Sequence, residues 1–450
     1  MKKITIGLFV ILGLLVGAGL GVLIWWLIPN ENVYETILLE GGIGDVKSTA
    51  AFTRIHGHGD MFWWFYPTLA DSPTRRPVIL WLHGITETPS SFLANFGMFG
   101  PYDKNLNRRS DSWVNEYNLL FVDAPLGTGF STSNIPQNSS TAEFPGVDQN
   151  AEYLFRTLQS FYDVHEEYRF APLYICSQGD GSQLALALTL KIVSEEVIWT
   201  SVRGIILGSP VISPALALTK LGFYLNQLGY VDSKGKATIE SFSEQTNSLV
   251  QSEAFQEAFD QFTSLGNFVN EKTGAVAVNL AHIVEKLTRD SSNRDYFGEK
   301  AYLGSVFHSH INYFMDTVVA PALGISETVK YDSQREAVVR AFGSSYMKPI
   351  VDKVEHILKN TNLEVNIYNG NLDAVSNTPG QLEWVNQLSW SGQAEFLNTS
   401  RTTIAVNRLI EGYSRESRRL RFYWINVAGQ LVPLDNPVGI RRVLSRITNR

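Results

Sequence analysis

This 450-residue chain predicts an α/β fold with a mostly parallel central sheet flanked by helices, a helical cap insertion and an N-terminal transmembrane helix. Three observations carry the prediction. From about residue 46, continuous β-rich runs alternate with helical patterns and no internal repeat is seen, as in a sheet covered on both faces. Between about Pro214 and Phe342 that rhythm stops, and helical patterns such as SEAFQEAFDQFTSLGNFV replace it. Ahead of everything stands ITIGLFVILGLLVGAGLGVLIWWLI, residues 4–28, with no charge in it.

In chain order, Met1–Lys3 forms a short basic tail. As a helix, residues 4–28 would be roughly 37 Å long, enough to cross a hydrocarbon core of about 30 Å. Trp25 and Trp26 suit an interfacial belt, and the run is too long for a signal-peptide core. Lys2 and Lys3 precede it while Glu31, Glu35 and Glu40 follow, so the N-terminus is expected in the cytoplasm and the large domain outside or in a lumen. Gly13, Gly17 and Gly21 recur every fourth residue and would line one face, allowing a homodimer through this helix, although glycine is also simply common in membrane helices. Residues 29–45 read as a linker. The first part of the core is expected at 46–213, the cap at 214–342 and the second part of the core at 343–450. Expected strands begin at Met61 (MFWWFYPT), Pro77 (PVILWLHG), Tyr117 (YNLLFVDAP), Pro172 (PLYICS), Gly204 (GIILGSP), Glu364 (EVNIYNG) and Arg421 (RFYWINV).

Composition narrows the function. With 44% hydrophobic and 12% aromatic residues the chain can bury a large core, and a formal charge of −7 gives no general attraction to nucleic acid. The basic runs at 415–421 and 441–450 read as solvated faces. Cys176 is the single cysteine, so no intrachain disulfide can form, and its place at a strand end suits a small core residue. His56/His58 and His308/His310 are i,i+2 pairs without carboxylate or cysteine companions in a ligand pattern, so no metal and no cofactor is expected. Sequons at Asn138 and Asn398 agree with a luminal domain, but such triplets also arise by chance.

The stretch LYICSQGDGSQLALAL reads as strand, glycine turn and helix, the local architecture of an α/β-hydrolase nucleophile elbow. Its frame is Ser177-Gln178-Gly179-Asp180-Gly181, with glycine at the centre. Ser177 and Ser182 lack the small-residue frame of an elbow nucleophile, and Gln178 fills the small position an Asp180 nucleophile would need. Glycine tolerates the strained backbone of such a turn, and the fold is expected to accept a serine at Gly179. In this fold the triad follows the order Ser, Asp, His; the last histidine here is His356.

The blocks MFWWFYPT, PVILWLHG, DSWVNEYNLLFVDAPLGTGFSTS, LYICSQGDG, GSPVISP, YNGNLDAVSNTPG and FYWINVAGQLVP resemble, in order and spacing, those of the serine carboxypeptidases, most of all the retinoid-inducible subgroup. The resemblance covers about residues 46–447. It implies an α/β-hydrolase fold and an ancestral Ser-Asp-His acyl transfer that removes C-terminal residues from peptides. It also places Gly179 at the family's serine, Asp373 at its aspartate and Gln430 at its histidine, so the triad is degenerate. The glycine loop that gives an oxyanion-hole amide falls on Gly84, Ile85, Thr86 and Glu87, where the glycine pattern is gone. His83 and Gln178 fall where the family grips a peptide's terminal carboxylate. The expectation is a membrane-anchored, catalytically inactive homologue that acts by binding or assembly on a peptide or protein ligand. Alternatives are an active hydrolase or acyltransferase with a non-standard catalytic set, and a structural subunit of a membrane complex, for which the mitochondrial inner membrane is an alternative location.

Overall fold

The computed structural model describes residues 34–135, 144–197, 199–274, 278–286, 311–332 and 336–449. The apolar run at 4–28 with Gly13, Gly17 and Gly21, the sequon at Asn138 and the pair His308/His310 lie outside these residues. Among the described residues no helix is long and apolar enough to cross a membrane.

Among the described residues, eleven strands form one sheet. They are β1 (Tyr34–Leu38), β2 (Thr49–Ile55), β3 (Gly59–Tyr66), β4 (Val78–Leu82), β5 (Asn118–Val122), β6 (Pro172–Gln178), β7 (Ser201–Gly208), β8 (Glu364–Gly370), β9 (Thr402–Val406), β10 (Leu409–Ser417) and β11 (Leu420–Ile425), in the order β1-β2-β3-β5-β4-β6-β7-β8-β11-β10-β9. The run from β5 to β11 is parallel, whereas β1, β2 and β3 on one side and β10 and β9 on the other are antiparallel. The sheet is therefore mixed rather than mostly parallel. Its flanks are made by short reversals, including the turn at Asn407 and Arg408, both at positive φ, and a tight reversal returns a chain antiparallel. The linker expected at 29–45 contains β1.

Strand residues alternate between faces, and the alternation divides the core in two. In β3, Phe62, Trp64 and Tyr66 join a layer with Trp81, Phe121, Cys176 and Tyr423, while Met61, Trp63 and Phe65 join one with Leu80, Val122, Ile175 and Phe422. Helix α1 (Val147–Val164) covers the second layer with Leu154, Phe155, Leu158, Phe161 and Tyr162, spaced to one helical face. Helix α2 (Gly181–Ser194) follows β6 and buries Leu184, Leu186 and Leu188 there as well.

Between β7 and β8 every described element is helical, including α3 (Ser233–Gln251), α4 (Phe255–Thr263), α5 (Leu265–Thr273) and α6 (Glu336–Met347). They enclose their own apolar cluster of Ile239, Phe259, Phe262, Leu265, Val269 and Met347, which reaches Ala374 and Val375 after β8. One of the basic runs is not wholly a solvated face. Arg421, at 2% exposure, pairs with Glu364 through Nη2 at 2.7 Å and reaches Asn366 at 3.0 Å, tying β11 to β8.

Candidate functional site: a closed elbow

The site lies where the parallel strands end. β4 delivers His83, β6 delivers Gln178 and Gly179, β8 leads to Asp373, and β11 leads to Gln430. The elbow forms as the sequence predicts. Gly179 has φ +53°, its N–H donates to the Gly208 carbonyl at 2.9 Å, and Asp180 starts α2. Gly181 is needed because a Cβ there would press on the Leu82 carbonyl at 2.7 Å.

Glu87 fills the space over the elbow. A Cβ built on Gly179 would overlap Glu87 Oε1. Glu87 Oε2 lies 2.9 Å from His83 Nδ1, and Gln430 Nε2 donates to Oε1 at a long 3.4 Å. All three side chains are buried. Burial raises the Glu87 carboxyl to about 8 and lowers the His83 imidazole to about 3, so at neutral pH both are uncharged. The contact is then a hydrogen bond between a carboxylic acid and a neutral imidazole rather than an ion pair. A serine at Gly179 would have to push aside the Glu87 carboxyl, the far end of a flexible side chain, and would sit at φ +53°.

The loop Gly84-Ile85-Thr86 wraps around Asp180. Ile85 N–H donates to Asp180 Oδ2 at 2.8 Å and Thr86 Oγ1 to Oδ1 at 2.6 Å, while a Cβ on Gly84 would collide with the same carboxyl. Burial first, then the neighbouring Glu87, raises Asp180 to about 7. Gln178 is committed at both ends: its Nε2 donates to the Gln430 carbonyl at 2.6 Å, and its Oε1 accepts from Tyr368 at 3.2 Å. Asp373, raised to about 7 by burial, accepts from Ser376 N–H at 2.9 Å. Ser376 Oγ donates to the Ser209 carbonyl at 3.2 Å, and Ser209 Oγ to the Gln430 carbonyl at 3.3 Å, so the Asp373 and Gln430 turns share one network.

Helix α6 covers the elbow. Val338 and Phe342 pack on Ile85, with Phe144 and Val147 beside them, and Gln183 Nε2 donates to the Ser345 carbonyl at 2.9 Å. The pocket left beside the elbow is lined by Gly84, Ile85, Asp180, Gln183, Phe342 and Tyr346, among others.

A serine carboxypeptidase family model matches residues 44–450. The chain belongs to the serine carboxypeptidase family. It is 29% identical to the retinoid-inducible serine carboxypeptidase of Rattus norvegicus over 86% of this chain and 88% of that protein. It is 26% identical to serine carboxypeptidase-like 51 of Arabidopsis thaliana, over 90% and 92% respectively. The fold matches that of Kex1(Δ)p, a prohormone-processing carboxypeptidase from Saccharomyces cerevisiae, with a TM-score of 0.76 at 18% identity, covering 94% of this chain and 97% of that one.

The structure brings His83, Gln178, Gly179, Asp373 and Gln430 together, with Gly84, Ile85, Thr86 and Glu87 over them. Sequence reading missed the part played by Glu87, naming it only as a member of a lost glycine loop. The signal was an acidic residue four positions after His83, in WLHGITE. Asn398 is exposed at the end of the helix Gln393–Asn398. Among the described residues there is no group of three or more His, Cys, Asp or Glu that could hold a metal ion.

Proposed function

We propose that this serine carboxypeptidase homologue does not hydrolyse peptide bonds and acts by binding or assembly on a single-pass membrane anchor. The observation that carries the reading is Glu87 standing over Gly179, where a nucleophile's side chain would need room. The other parts agree. Glutamine at Gln430 cannot exchange a proton near neutral pH, so it cannot serve as general base or acid. The Ile85 amide is committed to Asp180 and is not free for an oxyanion. Loss of a triad nucleophile or base costs about 10⁶-fold in subtilisin, the system from which that magnitude comes.

Residues 4–28 supply the anchor in this reading, with the N-terminus cytoplasmic and the large domain luminal or extracellular. Gly13, Gly17 and Gly21 offer a homodimer face. A ligand of the site is a peptide or protein, as the family's ancestral substrate class suggests. In the closed form neither His83 nor Gln178 presents a donor to solvent, so a ligand carboxylate would have to compete with Glu87 for His83.

Two assays divide the reading. A serine-reactive fluorophosphonate should leave the purified protein unlabelled, and labelling at any serine of the elbow would sink the claim of inactivity. Alkaline carbonate should leave the protein in the membrane pellet; release into the supernatant would sink the anchor.

A further inference from the structure

The sheet edge farthest from β1 carries a group of hydrogen-bond donors that lack acceptors. β9, β10 and β11 form this edge, with Thr402 registered opposite Ser414, Tyr413 opposite Trp424 and Arg415 opposite Phe422. Tyr413, Arg415 and Ser417 alternate along β10 and so share one face, on which Phe422 and Trp424 join the layer covered by α1. Arg401 stands one residue ahead of Thr402, which brings it across from Arg415 where the strand pair ends.

Aromatic rings hold both guanidinium groups. Arg401 lies over Tyr413 at 5.1 Å and over Trp424 at 5.4 Å from the ring centroids. Arg415 lies over Phe396, from the helix Gln393–Asn398, at 5.4 Å and over the same Trp424 at 5.7 Å. Stacking occupies the flat face of a guanidinium and leaves its N–H edge for an anion. Like charges facing each other across strands repel, and nothing offsets them here, since among the described residues neither arginine forms an ion pair or a hydrogen bond. Carboxylates on the same elements are engaged elsewhere: Glu395 with Arg418 at 2.7 Å and Glu416 with Arg446 at 2.9 Å. Arg415 Nε is buried without a partner, and so is the Ser417 hydroxyl, two residues along the same face on a side chain only 4% exposed. Buried donors left in this state are costly and uncommon. Burial first, then Arg401, lowers the Arg415 guanidinium from its ordinary pKa, as expected of a charge without a counter-ion.

We propose that Arg401 and Arg415, together with the Ser417 hydroxyl, bind the phosphate group of a phosphate monoester. Charge selects this class, because the cluster offers two uncompensated positive charges while a phosphate monoester carries about −1.5 to −2 at neutral pH and three acceptor oxygens. The planar fork of each arginine matches those oxygens, and Arg415 Nε and Ser417 Oγ gain the acceptor they lack. The elbow is not involved. β11 begins at Leu420 beside Ser417 and runs from here toward the turn that carries Gln430.

The test titrates phenyl phosphate and glucose 6-phosphate into full-length protein in detergent micelles, read by isothermal titration calorimetry. Benzoate, a monoanion with a ring, separates phosphate recognition from stacking on the aromatic side chains. The expected result is binding of a phosphate ester that weakens as sodium chloride is raised, with benzoate much weaker. Arg401→Gln and Arg415→Gln should each lower the affinity by about tenfold or more, the scale of one charged hydrogen bond. A preference for one ester identifies the carrier as aromatic or sugar. Arg415→Gln is read beside its melting temperature; if it does not fold, Arg401→Gln, on an exposed residue, decides alone. Binding of neither ester, benzoate binding as tightly as phenyl phosphate, or affinity unchanged in Arg401→Gln overturns the proposal.

Discussion

At the residue scale, Glu87 decides how the site behaves. Its carboxyl is held near 8 in the folded protein against an ordinary value of 4.5, and Asp180 and Asp373 near 7 against 3.8. Across those windows the native state keeps protons that the unfolded chain has lost, so stability present at acid pH declines as pH rises through the folded values. His83 acts in the opposite sense, since its folded value near 3 lies below 6.5, and its contribution grows as pH climbs through that range. Above pH 6.5 only the carboxyl terms remain, and the Tm is expected to fall from there to pH 8. Each group contributes about 1.4 kcal/mol per pH unit across its window. Glu87→Gln should flatten the fall, measured by calorimetry across that range; a Tm that is level or rising in the unmutated protein contradicts the assignment.

Crowding at Gly179 gives a second expectation at this scale. Gly179→Ser alone should lose about 1–3 kcal/mol through overpacking. Combining it with Glu87→Ala should recover part of that loss, giving a favourable coupling of about 0.5–3 kcal/mol in a denaturant double-mutant cycle. Additive losses would mean that Glu87 does not occupy the space above the elbow.

At the element scale, α6 acts as the cover. Phe342 belongs to a small cluster with Ile85 and Val338, so Phe342→Ala should cost near or below the usual range of about 3–5 kcal/mol for a buried phenylalanine. Its local signature is more informative: amide exchange at Ile85 should accelerate as the loop loosens around Asp180, while exchange in β4 should stay slow. Unchanged exchange at Ile85 would detach the cover from the loop.

The elements also show what sequence could and could not reveal. Runs such as VILWL and LYICS announce themselves because strands buried on both faces are continuously apolar. β1, β2, β9 and β10 escape the sequence reading because none carries an uninterrupted apolar run: YETIL and TTIAV are short, partly exposed edge strands, and TAAFTRI and LIEGYSRES are broken by polar residues. Arg421 was read as part of a charged face, because its partner Glu364 is far away in sequence and only the parallel pairing of β8 with β11 joins them. In the site, the strand-turn-helix around Gly179 was legible from local pattern, whereas the place of Glu87 depends on how the loop after β4 folds over β6.

At the scale of the whole molecule, the sheet gathers the elbow and the turns that carry Asp373 and Gln430 at one end, with Gln178, Gln430 and Tyr368 linked into a buried network there. The network is not fully satisfied, since among the described residues Gln430 Oε1, His83 Nε2 and Asp373 Oδ2 are buried without a hydrogen-bond partner. The central claim is that this shut elbow performs no peptide hydrolysis, and quantifying free amino acid released from peptides of varied C-terminal residue tests it most directly, with purified full-length protein and its Asp373→Ala variant side by side from pH 4.5 to 8. The account predicts no release above that of the variant at any pH. Release by the unmutated protein that disappears on Asp373→Ala would contradict it.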